Sequence, residues 1–284
     1  MQQDGVRFLE KEITEIKVAV IGDMMTDRYI TGRVNRISPE APVPVNLVES
    51  QREVPGGAAN TAALSCQVYA CGMKGNDADG AVLTSLMEQA GIDMSGMICA
   101  EHYHTTAKIR ILGARQQMMR LDYEEKKNPS PEECRFVLEW LENLLARGLG
   151  VIVLSDYGKG MITAGLSEKV IALARTYKVP VLVDPKGSDW TKYDGAFGIT
   201  PNLKELSDCV GREIPNDDKA VEEAGKKVRE KYHLTHLFVT RSEKGITCIS
   251  EKGAIHRASA AQDVFDVSGA GDTVMAVTAS AVAA

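Results

Sequence analysis

The chain has 284 residues, of which 44% are hydrophobic and 25% are charged, so it can bury a full core. Its 33 Lys and Arg residues against 39 Asp and Glu residues leave a net charge of -6, which argues against binding to nucleic acid or to an anionic membrane surface. The six cysteines form no Cys-x-x-Cys pair, and the N-terminal segment is too charged for a signal peptide. These features exclude a disulfide scaffold and a zinc finger, and we expect a cytoplasmic enzyme.

Strand and helix patterns alternate along the chain. Apolar runs predict buried strands at 18–22, 151–155, 181–184, 197–200 and 237–240. Amphipathic spacing and capping residues predict helices at 57–71, 78–90, 131–147, 163–177 and 217–232. This alternation is typical of an α/β fold in which helices flank a central, mostly parallel sheet on both faces. We therefore predict a single α/β domain over residues 1–284.

Two segments, 43–49 and 105–123, do not fit this alternation of strands and helices and are predicted to be extended. In the second, Lys108 and Arg110 alternate with Ile109, which indicates a strand with one polar face. A small β element beside the main sheet is therefore expected.

Polar residues follow four of the predicted strands. Asp23, Asp156, Asp184 and Asn202 each come directly after an apolar run or within two residues of one. Ligands of open α/β sheets bind outside the carboxyl ends of the strands, so the recurrence indicates a site at one edge. Any one of these residues alone would be read as an ordinary polar loop position.

Three polar residues near the N-terminus are candidates for binding a sugar. Asp23 and Asn60 have a carboxylate and an amide, which can bond adjacent hydroxyls and orient a ring for attack. Asp27 is a further candidate, although capping of a turn explains it equally well.

The C-terminal segment Asp266-Val267-Ser268-Gly269-Ala270-Gly271-Asp272 is the most informative stretch of the chain. Gly269, Ala270 and Gly271 allow a tight turn whose N–H groups, at the start of a helix, would cradle an anion. Asp272 would then stand in the first helical turn, where a carboxylate can accept a proton from an attacking hydroxyl. The alternative is a simple glycine turn with an aspartate at a helix start.

Three ordered motifs resemble those of the ribokinase-like (PfkB) carbohydrate kinases. They are the Gly-Gly-x-x-Asn element with Gly56, Gly57 and Asn60, the Asn-x-x-Glu element with Asn202 and Glu205, and the C-terminal motif that ends at Asp272. The resemblance implies a ribokinase-like fold, ATP-dependent phosphorylation of a sugar hydroxyl, and Asp272 as the catalytic base. It also implies a small β lid, formed by residues 28–50 and 104–123, that in relatives often pairs between subunits into a homodimer. Relatives continue past the helix of Asp272, so we expect this chain to lack the family's last C-terminal elements.

Four shorter segments, 22–29, 37–45, 155–160 and 183–187, are similar to the bacterial heptose 7-phosphate kinases. This similarity implies phosphorylation of the anomeric hydroxyl of D-glycero-β-D-manno-heptose 7-phosphate in ADP-heptose synthesis. Two alternatives stay open: a kinase for another sugar, such as a fructose-like or ribose-like one, and a catalytically silent relative that binds nucleotide or sugar phosphate.

The family resemblance also suggests where ATP and Mg²⁺ bind. The proposed nucleotide contacts are Asp184, Lys186, Thr240, Ser242 and Gly245, although the last three also suit a hairpin turn before residues 246–249. Asn202 and Glu205 would act on Mg²⁺ through water, because Mg²⁺ rarely uses a cage made wholly of protein. Taken alone, Glu205 reads as a solvated helix residue.

Basic residues that could hold the substrate phosphate fall into two groups. Lys108, Arg110, Arg115 and Arg120 lie in the lid segment, and Lys159 and Lys186 follow strands. A solvated charged face explains the first group about as well, and the lysines of the second group could bind ATP instead.

Overall fold

The computed structural model describes residues 16–62, 67–113, 116–259 and 269–284. The strands are β1 Lys17–Gly22, β2 Met24–Ile37, β3 Pro44–Gly57, β4 Gln67–Lys74, β5 Asp93–Cys99, β6 Thr106–Gly113, β7 Gln116–Tyr123, β8 Val151–Ser155, β9 Val181–Asp184, β10 Gly198–Ile199, β11 His236–Thr240, β12 Ile246–Ser250 and β13 Gly253–Arg257. The α-helices are α1 Ala58–Ala62, α2 Ala78–Gln89, α3 Pro131–Leu145, α4 Ala164–Thr176, α5 Leu203–Val210, α6 Asp218–Lys231 and α7 Ala270–Ala283. No helix in these ranges combines the length and the apolar character needed to cross a membrane.

Nine strands form the large sheet in the order β13-β12-β11-β10-β9-β8-β1-β4-β5. The pairs from β11 through to β5 are parallel, whereas β12 and β13 are added as antiparallel hairpin strands. The predicted α/β class and the hairpin turn before residues 246–249 are both confirmed. Because the parallel strands point the same way, the polar residues that follow them meet at one edge.

Helices cover both faces of the large sheet, which explains why its central strands are continuous apolar runs. Along β1, Val18 and Val20 pack toward the cluster that includes α1, α2 and α7, while Ala19 and Ile21 pack toward the cluster that includes α3, α4 and α6. All four side chains are fully buried. The site residues that follow β1 are therefore attached to the most tightly packed part of the molecule.

The smaller sheet, hereafter the lid, has the strand order β3-β2-β6-β7. The chain leaves the large sheet after Gly22, forms the long antiparallel pair of β2 and β3, and returns at Ala58. Arg28 fastens the lid to the body, since its guanidinium donates to Glu53 at 2.6 Å and to Asp79 of α2 at 2.7 Å. The predicted lid of extended segments is confirmed.

One predicted element is wrong. Of the helix expected over residues 57–71, the described residues contain the five-residue α1, whereas the segment from Gln67 onward is strand β4. Val68 and Tyr69, a β-branched and an aromatic residue, pair in parallel with β1, and Tyr69 also pairs with β5. The residue pattern also gave no sign of the 14-residue β2, because its apolar and polar residues do not alternate regularly; only the family resemblance placed residues 28–50 in the lid.

Candidate active site

The C-terminal motif lies at the start of α7, next to α1. Gly269 precedes the helix with a φ of 76°, which favours glycine, and a Cβ there would lie 2.8 Å from Nδ2 of Asn60. Asp272 stands in the first turn of α7, with 6% of its surface exposed. The predicted helix start at Asp272 is confirmed, while Asp266 to Ser268 lie outside the described residues.

Three side chains donate hydrogen bonds to the Asp272 carboxylate. Nδ2 of Asn60 donates to Oδ2 at 2.8 Å, the Tyr157 hydroxyl donates to Oδ1 at 2.6 Å, and Oγ1 of Thr61 donates to Oδ1 at 3.2 Å. Asn60 and Thr61 belong to α1, and Tyr157 lies in the loop after β8. A buried carboxylate fixed in this way is well suited to accept a proton from a bound hydroxyl.

Asp23 lies beneath the loop that contains Tyr157. Its carboxylate accepts hydrogen bonds from the backbone N–H groups of Tyr157 at 2.8 Å, Lys159 at 3.0 Å and Met161 at 3.0 Å. Burial raises the pKa of Asp23, while these three N–H donors oppose the rise. Asp23 therefore holds this loop, and its predicted contact with a sugar hydroxyl stays a prediction.

A second buried carboxylate, at the start of the same loop, adds further bonds. Asp156 accepts hydrogen bonds from the Gly158 N–H at 2.7 Å, from the Tyr193 hydroxyl at 2.6 Å and from Nζ of Lys192. Burial, together with the Asp156 charge, raises the pKa of Tyr193, so its hydroxyl stays a donor. The loop is therefore anchored at two points before it reaches Asp272.

Acidic side chains converge beyond Asp272. Burial raises the pKa of Asp184 well above its usual range, and the carboxylates of Glu205 and Asp272 raise it further. Such repulsion marks a place where a cation would be favourable. Among the described residues, no three His, Cys, Asp or Glu side chains are grouped to enclose a metal ion directly. This oxygen-rich surrounding fits Mg²⁺, which keeps several of its own waters.

The Asn-x-x-Glu motif forms a capping box at the start of α5. Oδ1 of Asn202 accepts from the Glu205 N–H at 2.8 Å, and Oε2 of Glu205 accepts from the Asn202 N–H at 2.9 Å. Burial raises the pKa of Glu205. The spacing of the motif therefore has a local structural reason, in addition to its nearness to Asp184.

A groove of about 1490 Å³ passes along the ends of the strands between α5 and α7. Its lining includes these predicted nucleotide or phosphate residues: Lys186, Asn202, Glu205, Thr240, Ser242 and Gly271. Gly245 instead closes the turn before β12, where its N–H donates to the Ser242 carbonyl at 3.0 Å. The groove thus joins the candidate nucleotide residues to the start of α7.

Sequence reasoning missed Arg241, which holds the turn beside this groove. Its side chain is 1% exposed. Nε donates to Asn216 at 3.0 Å, and Nη1 donates to Asp218 at 2.6 Å and to Thr247 at 3.0 Å. An arginine directly after a buried strand was the only available signal, since its partners come from two other segments, around residue 217 and in β12.

A row of basic side chains crosses one face of the lid. Tyr29 of β2 pairs with Arg52 of β3 and with Arg110 of β6, and Arg110 pairs in turn with Arg120 of β7. The guanidinium groups of Arg52 and Arg110 lie 5.3 and 5.2 Å from the centre of the Tyr29 ring, as cation–π contacts. Tyr29 and Arg52 were not predicted, because cross-strand partners are invisible until the strand pairing is known.

Lys108 lies between this row and the loop over Asp23. Its Nζ is 5.4 Å from the centre of the Tyr157 ring. Burial lowers the pKa of Lys108, and the positive charges of Lys159 and Arg110 lower it too, while Asp27 opposes the shift. Cations that repel one another in a half-buried place would be stabilised by a bound anion.

Two more of the residues predicted to bind the substrate phosphate form ion pairs with nearby carboxylates. Nζ of Lys159 pairs with Glu124, and Nε of Arg120 donates to Asp122 at 2.8 Å. Arg115 lies outside the described residues.

The glycine pair ends β3 where the lid returns to the body. Gly56 lies against the Asp27 carboxylate, whose Oδ1 accepts from Nη1 of Arg110 at 2.7 Å. Gly57 leads directly into α1, which contains Asn60. The pair therefore joins the two candidate sugar ligands, Asp27 and Asn60.

Comparison with curated proteins finds relatives of about twice the length. The chain is 44% identical over 270 residues to "Bifunctional protein HldE" of Methylobacillus flagellatus, covering 94% of this chain and 55% of the relative. Proteins of the same name from Haemophilus influenzae and Geobacter sulfurreducens are 43% and 40% identical, covering 96% and 100% of this chain and 56% and 58% of each relative. The chain thus spans about half the length of the curated relatives it matches.

Solved structures share the fold at lower identity. Arabidopsis thaliana ribokinase, complexed with ribose and ATP, has a TM-score of 0.72 at 20% identity, over 95% of this chain and 86% of that one. Escherichia coli phosphofructokinase-2 with fructose-6-phosphate has a TM-score of 0.70 at 19% identity, over 95% and 87%. The family model described as "pfkB family carbohydrate kinase" matches residues 15–284. The chain therefore belongs to the pfkB family of carbohydrate kinases.

Proposed function

We propose that this chain transfers the γ-phosphoryl group of ATP to the anomeric hydroxyl of D-glycero-β-D-manno-heptose 7-phosphate, giving the 1,7-bisphosphate used in ADP-heptose synthesis. The observation that carries the proposal is the buried Asp272 carboxylate, held by Asn60 and Tyr157 in the first turn of α7, directly after Gly271 of the groove. The four sequence segments similar to heptose 7-phosphate kinases support this choice of sugar.

The reaction is a direct transfer without a phosphoenzyme. Asp272 accepts the proton of the anomeric hydroxyl while the sugar oxygen forms a bond to the γ-phosphorus. The bond from the γ-phosphorus to the bridging oxygen breaks, and ADP leaves with the electron pair. Backbone N–H groups of Gly269, Ala270 and Gly271 stabilise the charge at the start of α7.

ATP occupies the groove in this proposal, with Lys186 toward its phosphates and Thr240 and Ser242 as further contacts. A bound Mg²⁺ supplies charge neutralisation for the phosphates. Asp184, Asn202 and Glu205 are the residues that would hold it, through water. The raised pKa of Asp184, caused by burial and by neighbouring carboxylates, supports that assignment.

The sugar phosphate lies between the loop and the lid. Asn60 and Asp27 bind ring hydroxyls, and the 7-phosphate is bound by four basic residues, which are Lys108, Arg110, Arg120 and Lys159. Arg52 adds a further cation to the same row on the lid. The lowered pKa of buried Lys108, to which Lys159 and Arg110 contribute, supports an anion at this position. Closure of the lid would exclude water, so that ATP hydrolysis does not compete.

The test is ADP release with Mg²⁺-ATP and a panel of heptose 7-phosphate, fructose 6-phosphate, fructose and ribose. We expect turnover on heptose 7-phosphate that requires the sugar and is absent from Asp272→Asn. Turnover on a different sugar alone would replace the substrate while keeping the mechanism. Turnover on none of the four, by a folded protein, would overturn the proposed activity.

We further propose that two copies pair through the lid. Eight of the twelve large hydrophobic side chains that are exposed among the described residues belong to the lid or its hairpin: Ile37, Val43, Leu47, Val48, Met118, Met119, Leu121 and Tyr123. An apolar surface of this kind is stabilised when it is covered. The lid's outer strands, β3 and β7, are also open for strand pairing.

A further inference from the structure

Tyr157 makes three contacts in three directions. Its hydroxyl donates to Oδ1 of Asp272 at 2.6 Å, its backbone N–H donates to Oδ2 of Asp23 at 2.8 Å, and its ring lies under Nζ of Lys108 at 5.4 Å. These contacts link the candidate base, the buried end of β1 and the lid. The proposed chemistry uses Asp272 and Lys108 directly, and so far counts Tyr157 only as one of the donors to Asp272.

The backbone of Tyr157 is held rigidly from below. Three N–H groups of its loop donate to Asp23, which is 4% exposed, and the N–H of Gly158 donates to buried Asp156. Gly158 has a φ of 73°, which lets the chain turn sharply directly after the tyrosine. The backbone at Tyr157 therefore cannot shift without breaking bonds to a buried carboxylate, which is costly.

The Tyr157 hydroxyl acts as a fixed donor. Burial raises the pKa of Tyr157, and the nearby Asp272 charge raises it further, so the hydroxyl keeps its proton. Because it bonds Oδ1 while Asn60 bonds Oδ2, the plane of the Asp272 carboxylate is set from two sides. A base whose orientation is set in advance does not have to be ordered during the reaction.

The Tyr157 ring extends this arrangement to the lid. Lys108 belongs to β6, pairs with Asp27 of β2, and is half-buried over the ring. Any movement of the lid away from this loop would separate Lys108 from the ring. The same tyrosine therefore contacts the group that would take the proton and a group that would bind the substrate phosphate.

We infer that Tyr157 is a positioning residue. Its hydroxyl orients Asp272, and its ring holds the lid in the closed position through the contact with Lys108. The inference rests on the proposed function, in which Asp272 is the base and Lys108 binds the phosphate. It predicts that the two halves of the side chain affect different kinetic constants.

The experiment compares Tyr157→Phe with Tyr157→Leu under Mg²⁺-ATP and heptose 7-phosphate. Tyr157→Phe keeps the ring, so we expect kcat to fall about 10-fold with KM for the sugar phosphate within about twofold. Tyr157→Leu also loses the contact with Lys108, so we expect KM to rise about fivefold in addition. Tyr177→Phe is the matched control, because this exposed tyrosine at the end of α4 should leave both constants unchanged.

Melting temperatures are measured alongside. A Tyr157→Phe variant with the melting temperature of the wild type and a lowered kcat supports the inference. A wild-type kcat in Tyr157→Phe, or kcat and KM that change together in that variant, overturns it while leaving the proposed function intact. A wild type that turns over no sugar overturns the proposed function and, with it, the base that Tyr157 would orient.

Discussion

The edge of the large sheet and the lid are built in opposite ways. At the edge, Asp23, Asp156 and Asp272 are 4%, 3% and 6% exposed, and each accepts three hydrogen bonds. In the lid, Val48 and Met119 are 61% and 54% exposed. The edge is specified by many buried bonds, so its geometry tolerates little change. The lid is a surface on which substrate choice and pairing can vary without disturbing the core.

The largest effect is expected where the edge performs chemistry. Asp272→Asn keeps the size of the side chain but removes the proton acceptor, so kcat should fall about 1000-fold while sugar-phosphate affinity, measured by calorimetry, changes little. A melting temperature close to that of the wild type would show that the loss is chemical. Comparable turnover in the two proteins would contradict the role of Asp272.

The next effect is expected on the lid, in binding. Arg110→Met removes a cation from the row beside Tyr29, so KM for heptose 7-phosphate should rise about 10-fold or more. Arg33→Met is the control, since Arg33 lies on the same lid but pairs with Glu49 in solvent. Equal changes in the two variants would mean that the row does not bind the phosphate.

A smaller effect returns to the edge and concerns stability. Burial and nearby carboxylates raise the folded-state pKa of Asp184, so the folded protein holds this proton more tightly than the unfolded chain does. Stability is therefore lost as pH rises through that pKa. Asp184→Asn should raise the free energy of unfolding by about 1 kcal/mol near pH 8, with the gain shrinking toward pH 4, and should lower activity.

Urea unfolding at several pH values measures this effect. Asp194→Asn is the matched control, because Asp194 is half exposed and pairs with His233 at the surface. If Asp184→Asn gains no stability at high pH, burial and the neighbouring carboxylates do not destabilise the charged form of Asp184 as we infer.

The smallest effect is expected from the apolar surface of the lid. Val48→Lys places a charge on an exposed edge strand, so the dimer proposed above should dissociate about fivefold more readily in light scattering at matched concentrations. Lys252→Ala is the control: Lys252 lies in the turn between β12 and β13 of the large sheet, outside the lid, so this change should not alter the assembly. A monomeric wild type at all concentrations would rule out pairing through the lid.

Several elements could be predicted because their signals are local. The apolar run before Asp184 forms β9, the Gly-rich turn before Asp272 forms the start of α7, and the alternation around Lys108 forms β6. The failed helix over residues 57–71 shows the limit of such reasoning. Its second half is a strand because β1 and β5 flank it, and no local pattern reports which strands will be neighbours.

The candidate site shows the same division. The identities and order of Asn60, Asp184, Asn202 and Asp272 were visible in the sequence, because strand ends and glycine turns place polar residues by local rules. The roles of Asp23 and Tyr157 were not visible, since the direction in which a buried carboxylate or hydroxyl points depends on what packs around it.

The α/β class, the start of the last helix and the residue types at the edge of the sheet follow from local sequence patterns. The packing of strands and helices sets the rest: β8 lies beside β1, which brings Tyr157 to Asp23, and α1 lies beside α7, which brings Asn60 to Asp272 across 212 positions of chain. The physical reason is that hydrophobic periodicity is a property of short segments. A hydrogen bond between distant residues, in contrast, forms only when the strands and helices that contain them pack side by side.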